Sequence, residues 1–112
     1  MTFQHQSLAN GRWNEFSLVE QMANIGSEVF RAIKWKEKGN KEIADGSFYR
    51  ALELFDLTVM DLKNKTRLKE VLRARELFCD FFIGNNLYHQ TADQWNKYFY
   101  QFAYLAQNRK KK

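Results

Sequence analysis

The sequence predicts an all-α protein, folded as an antiparallel up-down-up-down four-helix bundle. Its 112 residues include no proline and five glycines, a composition that disfavours linkers and turn-rich β-sandwiches. Apolar residues make up 45% of the chain and recur at the three- and four-residue steps of amphipathic helices. Short polar segments separate these helices, and short connections favour antiparallel neighbours. We therefore expect residues 1–112 to form a single helical domain.

The first helix is predicted over about residues 17–38. Ser17 and Glu20 form a capping box at its start, in which each side chain satisfies the backbone N–H of the other residue. Gly39 then provides a left-handed stop. One face of this helix carries the apolar residues Leu18, Met22, Ile25, Val29 and Ile33.

The second helix is predicted over residues 47–62, after a turn at Asp45-Gly46-Ser47. Gly46 tolerates a positive φ, and Ser47 can cap the helix that follows. The first helix therefore either ends near Lys38 or continues to about Ala44. The expected buried face of the second helix consists of Phe48, Ala51, Leu52, Leu54, Phe55, Thr58, Val59 and Leu62.

The third and fourth helices are predicted over residues 66–83 and 91–107. Thr66 is the expected cap of the third helix, and a second capping box at Thr91 and Gln94 opens the fourth. Residues 108–112 are predicted to be a flexible basic tail. The expected core residues are Leu68, Val71, Leu72, Phe78, Cys79 and Phe82 in the third helix, and Trp95, Tyr98, Phe99, Phe102 and Leu105 in the fourth.

Residues 35–58 resemble a single helix pair of the tetratricopeptide family. The matching positions are Trp35, Gly39, Gly46, Phe48, Ala51 and Phe55. Lys38 stands where the family usually has leucine, and Thr58 where it prefers alanine. The resemblance implies a protein-protein interaction module with a groove near Trp35, between the first two helices, and a first helix that extends to about Ala44.

Motifs for catalysis are largely missing from the sequence. It contains no Gly-rich phosphate loop, no GxSxG and no HExxH. Cys79, the only cysteine, is interpreted as a core residue, and its solitary state fits a reducing cytoplasm. A general base at His89 is the one enzymatic alternative. We expect a cytoplasmic protein without cofactor, metal, membrane span or enzymatic activity.

The positive charge is concentrated in three clusters, within a net charge of +5. One lies between Arg31 and Lys41, near the end of the first helix. The second cluster lies between Lys63 and Arg75, and the third runs from Arg109 to Lys112. In an up-down bundle these two clusters lie at the same end, where they form a basic surface suited to nucleic-acid phosphates. The predicted nucleic-acid-binding residues are Lys63, Lys65, Arg67, Lys69, Arg73, Arg109 and Lys110.

The fourth helix carries aromatic residues on nearly all sides, more than one core face can cover. Exposed aromatic faces are typical of protein interfaces, and stacking on unpaired bases is the alternative. The predicted interface residues are Trp95, Tyr98, Tyr100 and Tyr104. A homo-oligomer or a complex with a protein partner is therefore expected.

Together these patterns predict a non-catalytic accessory protein that engages nucleic acid or a nucleoprotein through its basic surface. In architecture and charge it resembles the small basic four-helix-bundle proteins that accompany some bacterial reverse transcriptases. The second hypothesis is the tetratricopeptide-like interaction module, and the third is a small helical enzyme that uses His89.

Overall fold

The computed structural model of the protein describes residues 11–110, with side chains through residue 108. The described chain is helical and contains no strand, which confirms the all-α prediction. Its α-helices are α1 (Leu18–Glu37), α2 (Lys41–Met60), α3 (Leu68–Phe82) and α4 (Ala92–Lys110). Two 3-10 helices accompany them, at Arg12–Glu15 before α1 and at Leu62–Arg67 before α3.

The turn between α1 and α2 lies at Gly39 and Asn40. Gly39 has a φ of +82°, and the side chain of Asn40 caps α2 by accepting from the amide of Ile43 at 3.1 Å. The predicted end of the first helix near Lys38 is confirmed, and its alternative extension to Ala44 is wrong. The predicted turn at Asp45-Gly46-Ser47 is also wrong, since all three residues lie inside α2.

Gly46 stays helical because its surroundings outweigh its low helix propensity. A glycine inside a helix costs about 1 kcal/mol relative to alanine. Ala44, Ser47 and Phe48 around it are buried, and a helical backbone is what places them in the core. With the left-handed turn already made at Gly39, nothing requires Gly46 to leave the helix.

The connection between α2 and α3 also differs from the prediction. A 3-10 helix occupies Leu62–Arg67, and α3 begins only at Leu68, without a side-chain cap. Thr66 is therefore not the cap of the third helix. The capping side chain is that of Asp61, which accepts from the amide of Lys63 at 3.2 Å. Asn64 within this segment is buried and hydrogen-bonded, so the segment is part of the core boundary rather than a loose loop.

Both predicted capping boxes are present. Glu20 N–H donates to Ser17 Oγ and Ser17 N–H to Glu20 Oε1. Gln94 N–H donates in the same way to Thr91 Oγ1, and Thr91 N–H to Gln94 Oε1. From its box, α4 continues to Lys110, past the predicted end at residue 107.

The core lies where α1 packs between α2 and α4, with α3 packed on α2. The closest approach of α1 and α4 is at Gly26, where an added methyl group would stand 2.7 Å from Phe99 Cβ. Most predicted core residues are buried or half-buried, but Leu62, Leu72 and Leu105 are exposed. The core also includes four alanines that the predicted apolar faces leave out, Ala32, Ala44, Ala74 and Ala106.

A buried polar network ties the start of the described chain to the segment before α3. Trp13 Nε1 donates to Thr58 Oγ1 at 3.0 Å. The Gln21 amide donates to the carbonyl of Trp13 at 3.0 Å and to Asp61 Oδ2 at 2.8 Å. It accepts in turn from Asn64 Nδ2 at 2.8 Å. Gln21 thus links the backbone at Trp13 to the side chains of Asp61 and Asn64.

Asp61 is the ionisable member of this network. Burial, the largest single influence, disfavours its charged form, but hydrogen bonds from Lys63 and Gln21 together outweigh burial and lower the pKa of Asp61. These hydrogen bonds stabilise the ionised carboxylate of Asp61. The network therefore contains a stable negative charge beside Lys63.

Candidate nucleic-acid interface

The predicted basic surface is built on two elements, the 3-10 helix Leu62–Arg67 and the first half of α3. The 3-10 helix is held in place by the buried side chains of Asp61 and Asn64. Asp61 and Asn64 are buried, and Lys63 and Lys65, on either side of Asn64, are exposed. Lys69 and Arg73 follow on α3, four residues apart, and are also exposed.

Two of the predicted binding residues are already paired with acidic side chains. Lys63 forms a salt bridge with Asp61 and donates to the carbonyl of Asn14 at 3.2 Å. Arg67 forms a salt bridge with Glu70. Their charges are therefore partly neutralised within the protein, and Lys63 also has a structural role.

Lys65, Lys69 and Arg73 have no salt bridge within the described part of the chain. The guanidinium of Arg73 lies over the ring of Tyr88, 5.9 Å from its centroid. Lys65 belongs to the 3-10 helix Leu62–Arg67, whereas Lys69 and Arg73 lie on α3. We call these three cations the open basic surface.

Arg109 and Lys110 are the other two predicted binding residues. The backbone of α4 extends through both, whereas the sequence predicts a flexible tail from residue 108. Their side chains, and residues 111–112, lie outside the described part of the structure.

The structure separates the four predicted interface residues of the fourth helix into two groups. Trp95 is 4% exposed and belongs to the core, where its ring contacts Phe78 and Phe99. Tyr98 is half-buried. Tyr100 and Tyr104 are 68% and 55% exposed, and their ring centroids are 6.4 Å apart. The solvent-facing aromatic pair therefore consists of these two tyrosines.

Tyr98 joins α4 to α3, since its hydroxyl donates to Glu70 Oε1 at 3.4 Å. Burial and the adjacent negative charge of Glu70 raise the pKa of Tyr98 to about 12. Both effects disfavour the phenolate. Glu70 thus contacts two predicted site residues, Arg67 and Tyr98.

We expect Tyr98 to make folding sensitive to alkaline pH. A tyrosine in the unfolded chain ionises near pH 10, so the associated stability is complete below that pH and is lost as the pH rises through about 12. Tyrosinate absorbance should show a component with this late midpoint in the wild type, and Tyr98→Phe should lack it. An unchanged titration in the variant would contradict the assignment.

An apolar pocket of about 240 Å³ lies between α3 and α4, next to Arg73. Its walls include Ala74, Leu77, Trp95 and Tyr98, and its other lining residues are Glu70, Arg73, Gln90 and Gln94. Sequence reasoning missed this pocket. The only indication of the pocket in the sequence is the small residue Ala74, which faces two large rings of α4. Recognising it requires knowing that α3 packs beside α4.

Trp35 lines a groove between α1 and α4 that has a volume of about 560 Å³, whereas the tetratricopeptide resemblance implies a groove between the first two helices. Phe30, Trp35, Asn96 and Tyr100 are among its lining residues. Lys34 and Lys38 flank it, and both ammonium groups lie within 6 Å of the Trp35 ring centroid.

His89 lies in the tight loop before α4. Asn86 and His89 both have positive φ, and Asn86 closes the loop by hydrogen bonds to the backbone of Gln90. The His89 side chain is exposed and has no hydrogen bond or ion pair within residues 11–108.

Comparisons with known proteins returned no family model, no curated protein and no solved structure that matches this chain. Among the described residues, no cluster of His, Cys, Asp and Glu is arranged to hold a metal ion. None of the helices between residues 11 and 110 combines the length and apolar character needed to cross a membrane.

Proposed function

We propose that this protein binds nucleic acid, or a nucleoprotein, without catalysis, and that the open basic surface carries the binding. The observation that supports this most directly is the contrast between neighbouring cations. Lys63 and Arg67 are paired with acids, whereas Lys65, Lys69 and Arg73 are exposed without an acidic partner in the described chain. Cations left unpaired on one surface are available to neutralise phosphates.

This proposal includes an antiparallel arrangement of the helices. Gln21, near the start of α1, bonds Asp61 at the end of α2, while Glu28, further along α1, pairs with Arg50, earlier in α2. The reversed order of these contacts supports opposite directions for α1 and α2. Between α2 and α3 the contacts with the same reversed order are Asp56 with Arg75 and Phe48 with Phe82.

The same arrangement brings the end of α4 toward the open basic surface. Phe16 and Glu20 share a surface cleft with Ala106 and Gln107, close to the end of α4. The basic segment is anchored nearby, because Lys63 donates to the carbonyl of Asn14. We therefore include Arg109 and Lys110 in the proposed binding region.

The proposed binding predicts a steep dependence on salt. We expect a labelled single strand and a labelled duplex to bind at about 50 mM salt and to dissociate largely at about 200 mM. In the triple variant Lys65→Ala, Lys69→Ala, Arg73→Ala, the slope of log affinity against log salt should fall by about 2 to 3, because each lost phosphate contact lowers it by roughly 1. Titrations of both probes at several salt concentrations measure these slopes.

A matched control removes the same charge elsewhere. Arg31, Lys34 and Lys38 are exposed cations of α1 and its C-cap, and their triple alanine variant should retain most of the wild-type slope. If both triple variants lose the same amount of slope, binding depends on the net charge of the protein and not on the open basic surface. Absence of binding at the lower salt, in protein shown to be folded, would overturn the proposed function.

We also propose self-association through the exposed face of α4. Tyr100 and Tyr104 are one helical turn apart, exposed, and in ring contact with each other, so they form an exposed aromatic pair of the kind found in interfaces. Sedimentation velocity should show a concentration-dependent oligomer. Tyr100→Ser with Tyr104→Ser should shift it to monomer, and a wild type that stays monomeric at high concentration would contradict this.

A further inference from the structure

The apolar pocket between α3 and α4 arises because the two helices touch at its two ends. At one end Phe78 and Phe81 contact the ring of Trp95, with centroids 5.5 and 6.3 Å apart. At the other end the hydroxyl of Tyr98 reaches Glu70. The methyl group of Ala74 leaves the space between these contacts unfilled, and the result is an open pocket rather than a packed seam.

The dimensions and lining of the pocket favour one flat ring system. Its volume of about 240 Å³ is below the roughly 300–1,000 Å³ of sites for drug-sized ligands. Trp95, Tyr98 and Leu77 line it, together with Gln90 and Gln94. Aromatic rings bind planar bases by stacking, and the half-buried ring of Tyr98 is the more exposed of the two aromatic rings here.

The pocket is continuous with the open basic surface. Arg73 belongs to both, as a lining residue of the pocket and as the last cation of the surface. Lys69 precedes it by one helical turn on α3. A phosphate bound at Arg73 would hold the attached nucleotide beside the pocket, and a base can enter only when it is not paired in a duplex.

We propose that the pocket between α3 and α4 receives one unpaired base of a single strand whose phosphates lie on Lys65, Lys69 and Arg73. This inference rests on the proposed function and makes it more specific, since it makes single-stranded nucleic acid the preferred ligand. One stacked base contributes about 1–3 kcal/mol by alanine substitution in other proteins.

The test compares three probes of equal length: a single strand, the same strand with abasic sites throughout, and a duplex. We expect wild-type protein to bind the single strand about tenfold more tightly than the abasic strand, which follows from the energy of one stacked base. Ala74→Met extends a side chain into the pocket without changing charge. This variant should bind the single strand only as well as the abasic strand, with duplex and abasic affinities unchanged.

A second variant tests the pocket independently of whether Ala74→Met folds. Leu77 also lines the pocket and is only partly buried, so Leu77→Phe should narrow the pocket at lower structural cost and have the same selective effect. Circular dichroism and thermal unfolding establish that each variant is folded. Equal binding of the single and abasic strands by the wild type would overturn this inference and leave the proposed function intact. Failure of all three probes to bind would overturn both.

Discussion

Gln21→Leu is expected to lower the free energy of unfolding by about 3 kcal/mol. The substitution keeps a side chain of similar size, so the loss reflects hydrogen bonds rather than a cavity. It removes the donor to the Trp13 carbonyl, the donor to Asp61 and the acceptor for Asn64. Buried polar groups left without a partner cost about 1–3 kcal/mol each, and partial rescue by other members of the network limits the sum. Urea unfolding measures the change.

Asn24→Leu is the matched control for that prediction. Asn24 lies on the same helix, is exposed, and donates only to the Glu20 carbonyl one turn earlier. The same replacement of an amide by an apolar group should change stability there by less than about 0.5 kcal/mol, as is usual for surface positions. A Gln21→Leu effect no larger than that of Asn24→Leu would show that the network does not hold this part of the fold.

Gly26→Ala is expected to lower the free energy of unfolding by about 1 kcal/mol. An added Cβ would stand 2.7 Å from Phe99 Cβ, a distance that forces α1 and α4 apart. Overpacking of a tight contact costs about 1–3 kcal/mol, which exceeds the gain of up to about 1 kcal/mol from replacing a helical glycine. Thermal or urea unfolding provides the measurement.

Gly46→Ala is the control, and its expected effect has the opposite sign. Gly46 is also helical, but a Cβ there would meet only Arg50 Nη1, at an ordinary 3.6 Å. The variant should therefore gain about 0.5–1 kcal/mol from helix propensity. Destabilisation by Gly46→Ala would contradict the continuous α2, and stabilisation by Gly26→Ala would contradict the close packing of α1 on α4.

Much of the helical architecture is predictable from the sequence, because helix starts depend on residues that are close together in the chain. The capping boxes at Ser17 and Thr91 need only a residue and its neighbour three positions on. The predicted start of α2 is wrong because two glycine-containing turns, at Gly39 and Gly46, compete seven residues apart. The burial of Ser47 and Phe48 against other helices decides between them, and a sequence does not display those contacts.

The candidate site is predictable in composition but not in arrangement. The cations from Lys63 to Arg73 are visible as a cluster, yet their pairing depends on Asp61 and Glu70 adopting suitable rotamers. The spacing of aromatic residues in the fourth helix likewise does not indicate which rings are buried in the core. The structure places Trp95 inside and leaves Tyr100 and Tyr104 exposed, because α1 and α3 cover only one side of α4.

The central claim, that the open basic surface binds nucleic acid, is tested most directly by lysine footprinting. The folded protein is acetylated at low salt with and without a saturating single strand, and mass spectrometry reports the modification rate of each lysine. We expect protection of Lys65 and Lys69, with little change at Lys34 and Lys38, which are exposed on α1 and its C-cap. Protection of Lys34 and Lys38 without protection of Lys65 and Lys69 would contradict the claim.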